Sequence, residues 1–116
     1  MTKPTSPDLA RKIRRKVEVI IGDGWEKTNA HGVDLRERLI EPELVKHDNK
    51  VERQSDDEPE FIYLWVVLRE WPDGKRGYSI VCDSAVQNFG LALAGLNMPI
   101  LLGWHGGGFW GTFNSM

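Results

Sequence analysis

The stretch FIYLWVVLREW, residues 61–71, restricts the fold more than any other part of the chain. A strand with one wet face alternates apolar and polar residues. This one is apolar in both phases until Arg69, so it must be buried on both faces. The segment that follows, Pro72-Asp73-Gly74, is strong turn chemistry: Pro presets φ, Asp can close an Asx turn and Gly accepts a positive φ. Residues 77–83, GYSIVCD, then read as the returning strand of a hairpin. NFGLALAG (88–95) and PILLGWH (99–105) read as a second antiparallel pair joined through GLNMP. Residues 84–94 also have a helical alternative, capped by Asp83 or Ser84, but Gly90 and the strand-forming neighbours favour strand.

Cover for one sheet face comes from the N-terminus. Ser6 is a good N-cap, Pro7 suits the first helical position and Asp8 complements the positive helix end. Leu9, Ile13, Val17, Ile20 and Ile21 follow at helical spacing, and Gly22 and Gly24 supply the stop. Trp25 is expected to fold back onto the helix end or the core. An edge strand is expected from about Arg38 to His47, where Pro42 is tolerable at an edge but not in a central strand, although LRERLI, 35–40, is also passable as helix. Residues 48–60, DNKVERQSDDEPE, read as an acidic, solvated and mobile loop. The expected fold class is α+β: one N-terminal amphipathic helix packed on a four- to five-stranded antiparallel meander, with the sheet able to curl partly around the helix.

A chain of 116 residues is one domain, 1–116, with residues 1–6 as a flexible N-terminus. Its 41% hydrophobic and 28% charged residues exclude a disordered chain. No apolar run approaches a membrane span, and the N-terminus lacks the apolar core of a secretory signal, so a cytoplasmic setting is expected. One cysteine, Cys82, excludes an intrachain disulfide and a cysteine-based zinc site. Charge is uneven although the total is only −2. Lys3, Arg11, Lys12, Arg14, Arg15 and Lys16 oppose only Asp8 at the start, whereas residues 34–60 carry ten acids against five bases. These halves can meet within one subunit or between two.

Chemistry-bearing motifs are sparse. GWHGGGFWGTF, 103–113, lacks the GK[ST] or GxGxxG pattern of a phosphate loop, and no basic residue follows Arg76. Its glycines are expected to make a bend or bulge in the last strand, leaving room for bulky neighbours. The alternative is an aromatic ligand pocket of Trp104, Phe109 and Trp110 with His105 as its polar contact, extended by Tyr63, Trp65 and Tyr78 between helix and sheet. Cys82, Asp83 and His105 do not compose a nucleophile triad, because adjacent strand residues point to opposite faces. His31 with Asp34 and His47 with Asp48 have no metal-ligand spacing and read as solvated loop histidines. No metal or other cofactor is called for. The basic run 11–16 has no RNA-binding aromatic module beside it, which argues against nucleic acid. What remains is a non-catalytic binding domain for a protein partner or a second copy, with no membrane role. A ligand-pocket protein or small enzyme is the alternative, and nucleic-acid binding through the basic helix face the third reading.

Overall fold

A computed structural model describes residues 7–116; Ser6 and the rest of the 1–6 segment lie outside them. The first element, α1 (Pro7–Ile21), buries Ala10, Ile13, Val17 and Ile21. Ile20 sits off this stripe and is 38% exposed, because steps of four residues from Ile13 return to the same face while position 20 falls on its flank. The helix ends where Gly22 takes φ +56°. A 3-10 turn, Gly24–Glu26, then lays the half-buried Trp25 against the core, as expected. A single helical turn, α2 (Leu35–Arg38), is capped by the Asp34 side chain, which accepts from the Arg36 N–H at 2.9 Å.

Five strands follow: β1 (Leu39–Asp48), β2 (Phe61–Arg69), β3 (Tyr78–Cys82), β4 (Phe89–Leu93) and β5 (Ile100–His105). Sequence neighbours pair antiparallel in a meander, and residues 84–94 contribute a strand and not a helix. The sheet closes into a barrel through one parallel bridge, Asp48 to Ile100, supported by the Asp48 N–H donating to Pro99 O at 2.9 Å. The rest of β1 is an edge, and the chain blunts it. The register is irregular between Leu39 and Glu43, around Pro42, and the Arg14 guanidinium from α1 donates to the Ile40 carbonyl at 2.9 Å.

Two cores account for the doubly apolar strand. Leu64, Val66, Val81, Ala92 and Leu101 form one, backed by Ile40, Val45 and Ile62. Every strand contributes and no helix does, yet its members are almost fully buried, so this core is the barrel interior. The second core lies outside the barrel. Trp65, Val67, Leu68, Ile80, Cys82 and Phe89 meet the α1 stripe and a C-terminal helix, α3 (Gly108–Asn114), through Phe109 and Phe113. The sheet therefore curls away from α1 and onto itself, a correction to the expected wrap around the helix.

Three further differences have physical causes. The glycine run 106–108 lies beyond β5, whose own irregularity falls at Leu102, where Leu91 and Ala92 pair with Gly103 and Leu101. Residues 106 and 107 form a turn, Gly107 stands at the N-cap of α3 and Gly108 takes φ +69°. The segment 48–60 begins one residue late, because Asp48 belongs to β1, and the loop is tied at its base. Asn49 donates from its backbone to Glu60 O at 2.8 Å and from Nδ2 to Pro59 O at 3.0 Å, and Arg53 N–H donates to Asn49 O at 2.9 Å. Finally, β2 stops at Arg69. The Glu70 carboxylate accepts the Tyr78 N–H at 3.0 Å, and Trp71 turns out under the Arg76 guanidinium, 4.0 Å from its ring. Among the described residues no helix is long and apolar enough to cross a membrane.

Candidate functional site

The glycine-rich end of the chain is built around His105. Its Nδ1 accepts the Gly107 N–H at 3.0 Å, so in the neutral ring the proton sits on Nε2 and is donated to Ser115 Oγ at 2.9 Å. Ser115 in turn donates to the Gly111 carbonyl at 2.8 Å. One imidazole thus ties the entrance of α3 to its exit. The glycines make this possible: a Cβ on Gly111 would lie 2.7 Å from the ring and one on Gly107 3.1 Å from it. A third glycine, Gly24, clears space for Trp110, whose ring would be 2.7 Å from a Cβ there. The glycines do make room for bulky neighbours, though in a turn and a helix and not in a strand.

A serine hydrogen-bonded to a histidine raises the possibility of a nucleophile and its base. The proton arrangement opposes it. A general base needs a free lone pair on the nitrogen facing the serine, and here that nitrogen is the donor. Its other nitrogen meets a backbone N–H where a hydrolase places a carboxylate. Cys82 is no better placed. Burial, with the Asp83 charge adding to it, pushes its thiol up to about 12, and the thiol form is not nucleophilic. Asp83 itself serves its turn. Burial would raise its carboxyl, but hydrogen bonds from Gln87, Asn88 and Val86 outweigh that and hold it below the ordinary carboxylate range.

The residues singled out from sequence do not line one cavity. Trp65 and Phe109 are buried in the outer core, where Trp65 Nε1 donates to Ser84 Oγ at 3.3 Å. Phe109 stands edge-on to Phe89 and Trp110, at 5.6 and 5.5 Å between centroids, and stacks on Phe113 at 6.3 Å. Trp110 closes the rim of that core under the Lys27 ammonium, 5.4 Å from its ring. Tyr63 points outward from β2 opposite Lys46, and Tyr78 begins β3, with its ring 6.4 Å from His31. Trp104 is 37% exposed at one end of the barrel, over a cleft of about 320 Å³ shared with Ile62, Asn49 and Arg53. Opposite it stands Gly90, where a Cβ would meet Gly103 O at 2.7 Å.

One histidine differs from its sequence reading, and a second, exposed in its loop as expected, gains a distant neighbour. His47 is not a solvated loop residue: it lies in β1, fully buried, in phase with Val45 and paired with Ile62, both of which back the barrel core. Its Nδ1 donates to Val45 O at 2.8 Å, and Nε2 has no hydrogen-bond partner among the described residues. Burial pulls its pKa below the ordinary value, only partly opposed by the Val45 bond, so the ring is neutral. His31 is half exposed in its loop, but its Nδ1 stands 3.7 Å from Glu70, a neighbour far away in sequence with no local signal. Among the described residues no group of three potential ligands could hold a metal ion.

A different surface gathers apolar groups. Where β1 meets β5, Phe61, Leu96, Met98 and Ile100 line a cleft of about 330 Å³ flanked by Asp48 and Lys50. Leu96, at the tip of the β4–β5 hairpin, is fully exposed, and Phe61 is 40% exposed with Lys46 Nζ 4.5 Å above its ring. Leu96 carried no sequence signal, because a single leucine in a turn is ordinary; the juxtaposition needs the barrel to close. Comparison with protein-family models, with curated proteins and with solved structures found no match to this chain.

Proposed function

We propose that this chain works by binding the surface of another protein chain and not by catalysis, with the cleft at the β1–β5 junction as the contact. The observation that carries the reading is that cleft. A leucine standing wholly in water beside a half-exposed phenylalanine is apolar area that the described residues leave open. Covering such area is favourable by about 25 cal/mol per Å². Lys46, Asp48 and Lys50 give the cleft a charged rim, as interface cores have polar rims. Catalysis is disfavoured by the state of its candidates: His105 donates where a base would accept, and Cys82 is held as a thiol. A reducing cytoplasm suits that lone buried thiol.

Light scattering in about 0.5 M salt, where charge contacts are screened, tests the self-association form of this reading. The expected result is a mass above the 13.2 kDa of one chain that returns to it in Leu96→Lys. A photo-crosslinker at position 96 tests the foreign-partner form, with capture of one defined protein, blocked by Phe61→Lys, as the expected outcome. Turnover of any ester or peptide substrate that disappears in Ser115→Ala would overturn the reading.

A further inference from the structure

The charge asymmetry of the sequence poses a question that the fold answers in part. Lys12, Arg15 and Lys16 lie on the outer face of α1, exposed and in no ion pair among the described residues. Their basic neighbours are occupied: Arg11 pairs with Asp8, while Arg14 takes Glu18 at 3.4 Å and the Ile40 carbonyl. One turn beyond Arg15, on the same outer face, Val19 is 80% exposed. The sheet has no use for this face, since it takes Ala10, Ile13, Val17 and Ile21.

The tied loop 49–60 has the opposite character. Asp56, Asp57, Glu58 and Glu60 are all exposed on it, and Val51 is exposed beside them. Arg53 is directed at Asp56, 3.7 Å away, and at Glu60, 4.0 Å away, and Asp57 is in no ion pair among the described residues. Among the described residues no ion pair or hydrogen bond joins the basic helix face to the acidic loop; α1 reaches residues 34–60 by the Arg14 bond to Ile40 O. Either surface alone is ordinary. Together they are complementary twice over, bases beside an exposed valine on one and acids beside an exposed valine on the other.

We infer that these two surfaces are halves of one contact, in which the Lys12–Arg15–Lys16–Val19 face of one copy docks on the acidic loop of a second copy. A polyanion such as nucleic acid or an anionic bilayer would be drawn to the helix but repelled by the loop and by the net charge of −2. A second copy engages both surfaces. Exposed ion pairs are individually weak, so the association is low in affinity and sensitive to salt. It is independent of the apolar cleft, and the two respond oppositely: salt weakens this contact and leaves an apolar one intact.

The test is light scattering and sedimentation at about 20 mM salt, where screening is minimal. In the Leu96→Lys background, which removes the apolar contact and carries every variant below, the chain should exceed 13.2 kDa and revert to a monomer at about 0.5 M salt. Two charge-reversed chains, K12E/R15E/K16E and D56K/D57K, should each be monomeric at low salt, and mixing them in equal amounts should restore association. The substituted positions are all exposed, and circular dichroism checks the fold; if the helix variant unfolds, K12Q/R15Q/K16Q and the loop variant carry the same test. A monomeric Leu96→Lys chain at low salt, association indifferent to both reversals, or no recovery on mixing overturns the inference. So does salt-sensitive binding to heparin or anionic vesicles without self-association.

Discussion

The two cores lie back to back across β2 and are made of different material. Inside the barrel sit Leu64, Val66, Val81, Ala92 and Leu101, small and aliphatic, with the buried His47 in phase with Val45 beside them. Outside it, Phe89, Phe109 and Phe113 pack ring on ring with Trp110, and Trp65 and α1 complete the layer. The inner core follows from strand alternation, a rule with a reach of two residues. Assembling the outer one brings positions 10–21 and 109–116 to the same sheet face. One strand serves both, which is why its sequence is apolar in each phase.

The largest expected effect compares the two directly. Phe109 touches three other rings, so Phe109→Ala should cost about 3–5 kcal/mol, and Leu101→Ala, which opens the barrel interior, about 2–5 kcal/mol. Urea unfolding measures both. Probes should also separate them: near-ultraviolet dichroism, dominated by the outer rings, should change more in Phe109→Ala. If Leu101→Ala proves the costlier, the barrel and not the aromatic layer holds most of the stability.

The inner core also contains a buried group, His47, that makes stability sensitive to acid. Desolvation holds the His47 pKa below its ordinary 6.5, so between the folded value and 6.5 the unfolded chain binds the extra proton. Stability is therefore complete above about pH 6.5 and declines as pH falls through that window. His47→Leu, similar in volume, should flatten the slope and remove the cost of a buried unsatisfied Nε2, of order 1–3 kcal/mol, against the lost bond to Val45 O. The check is chemical unfolding from pH 7.5 down to about 4.5, bracketing the ordinary histidine pKa. A slope unchanged in His47→Leu would show that another group governs acid sensitivity.

What could be read from the sequence divides along the same line. The helix over 7–21, the four strands after residue 60 and the Pro-Asp-Gly turn all follow from local periodicity and turn chemistry, and they stand in the structure. The edge strand was legible from Pro42 and ends only one residue later than expected, at Asp48. Barrel closure was not legible, because it consists of a single bridge between residues 48 and 100. Nor was α3. A segment of seven residues with two glycines has poor intrinsic helix propensity, and it is helical because Phe109, Thr112 and Phe113 find burial. His47 was misread because a histidine near an acidic loop looks solvated until the register places it in the barrel. The candidate site residues divide among core, rim and barrel end, and that separation depends on the same closure.

The smallest effect is the sharpest probe of the long-range character of the outer layer. Gly111 lies inside α3, where alanine would ordinarily add about 1 kcal/mol of helix stability. In this chain its Cβ would stand 2.7 Å from the His105 ring, which is fixed by Gly107 at one nitrogen and Ser115 at the other. Gly111→Ala must therefore displace the ring and break both bonds, so in the wild-type background it should be neutral or destabilising by up to about 1 kcal/mol. In a His105→Ala background the obstruction is gone and the same substitution should stabilise by about 0.5–1 kcal/mol. The double-mutant cycle should give a coupling of about 0.5–2 kcal/mol between residues that belong to a strand and a helix. A coupling near zero would mean that the ring turns aside freely, and that the glycines of the C-terminal turn are not there on its account.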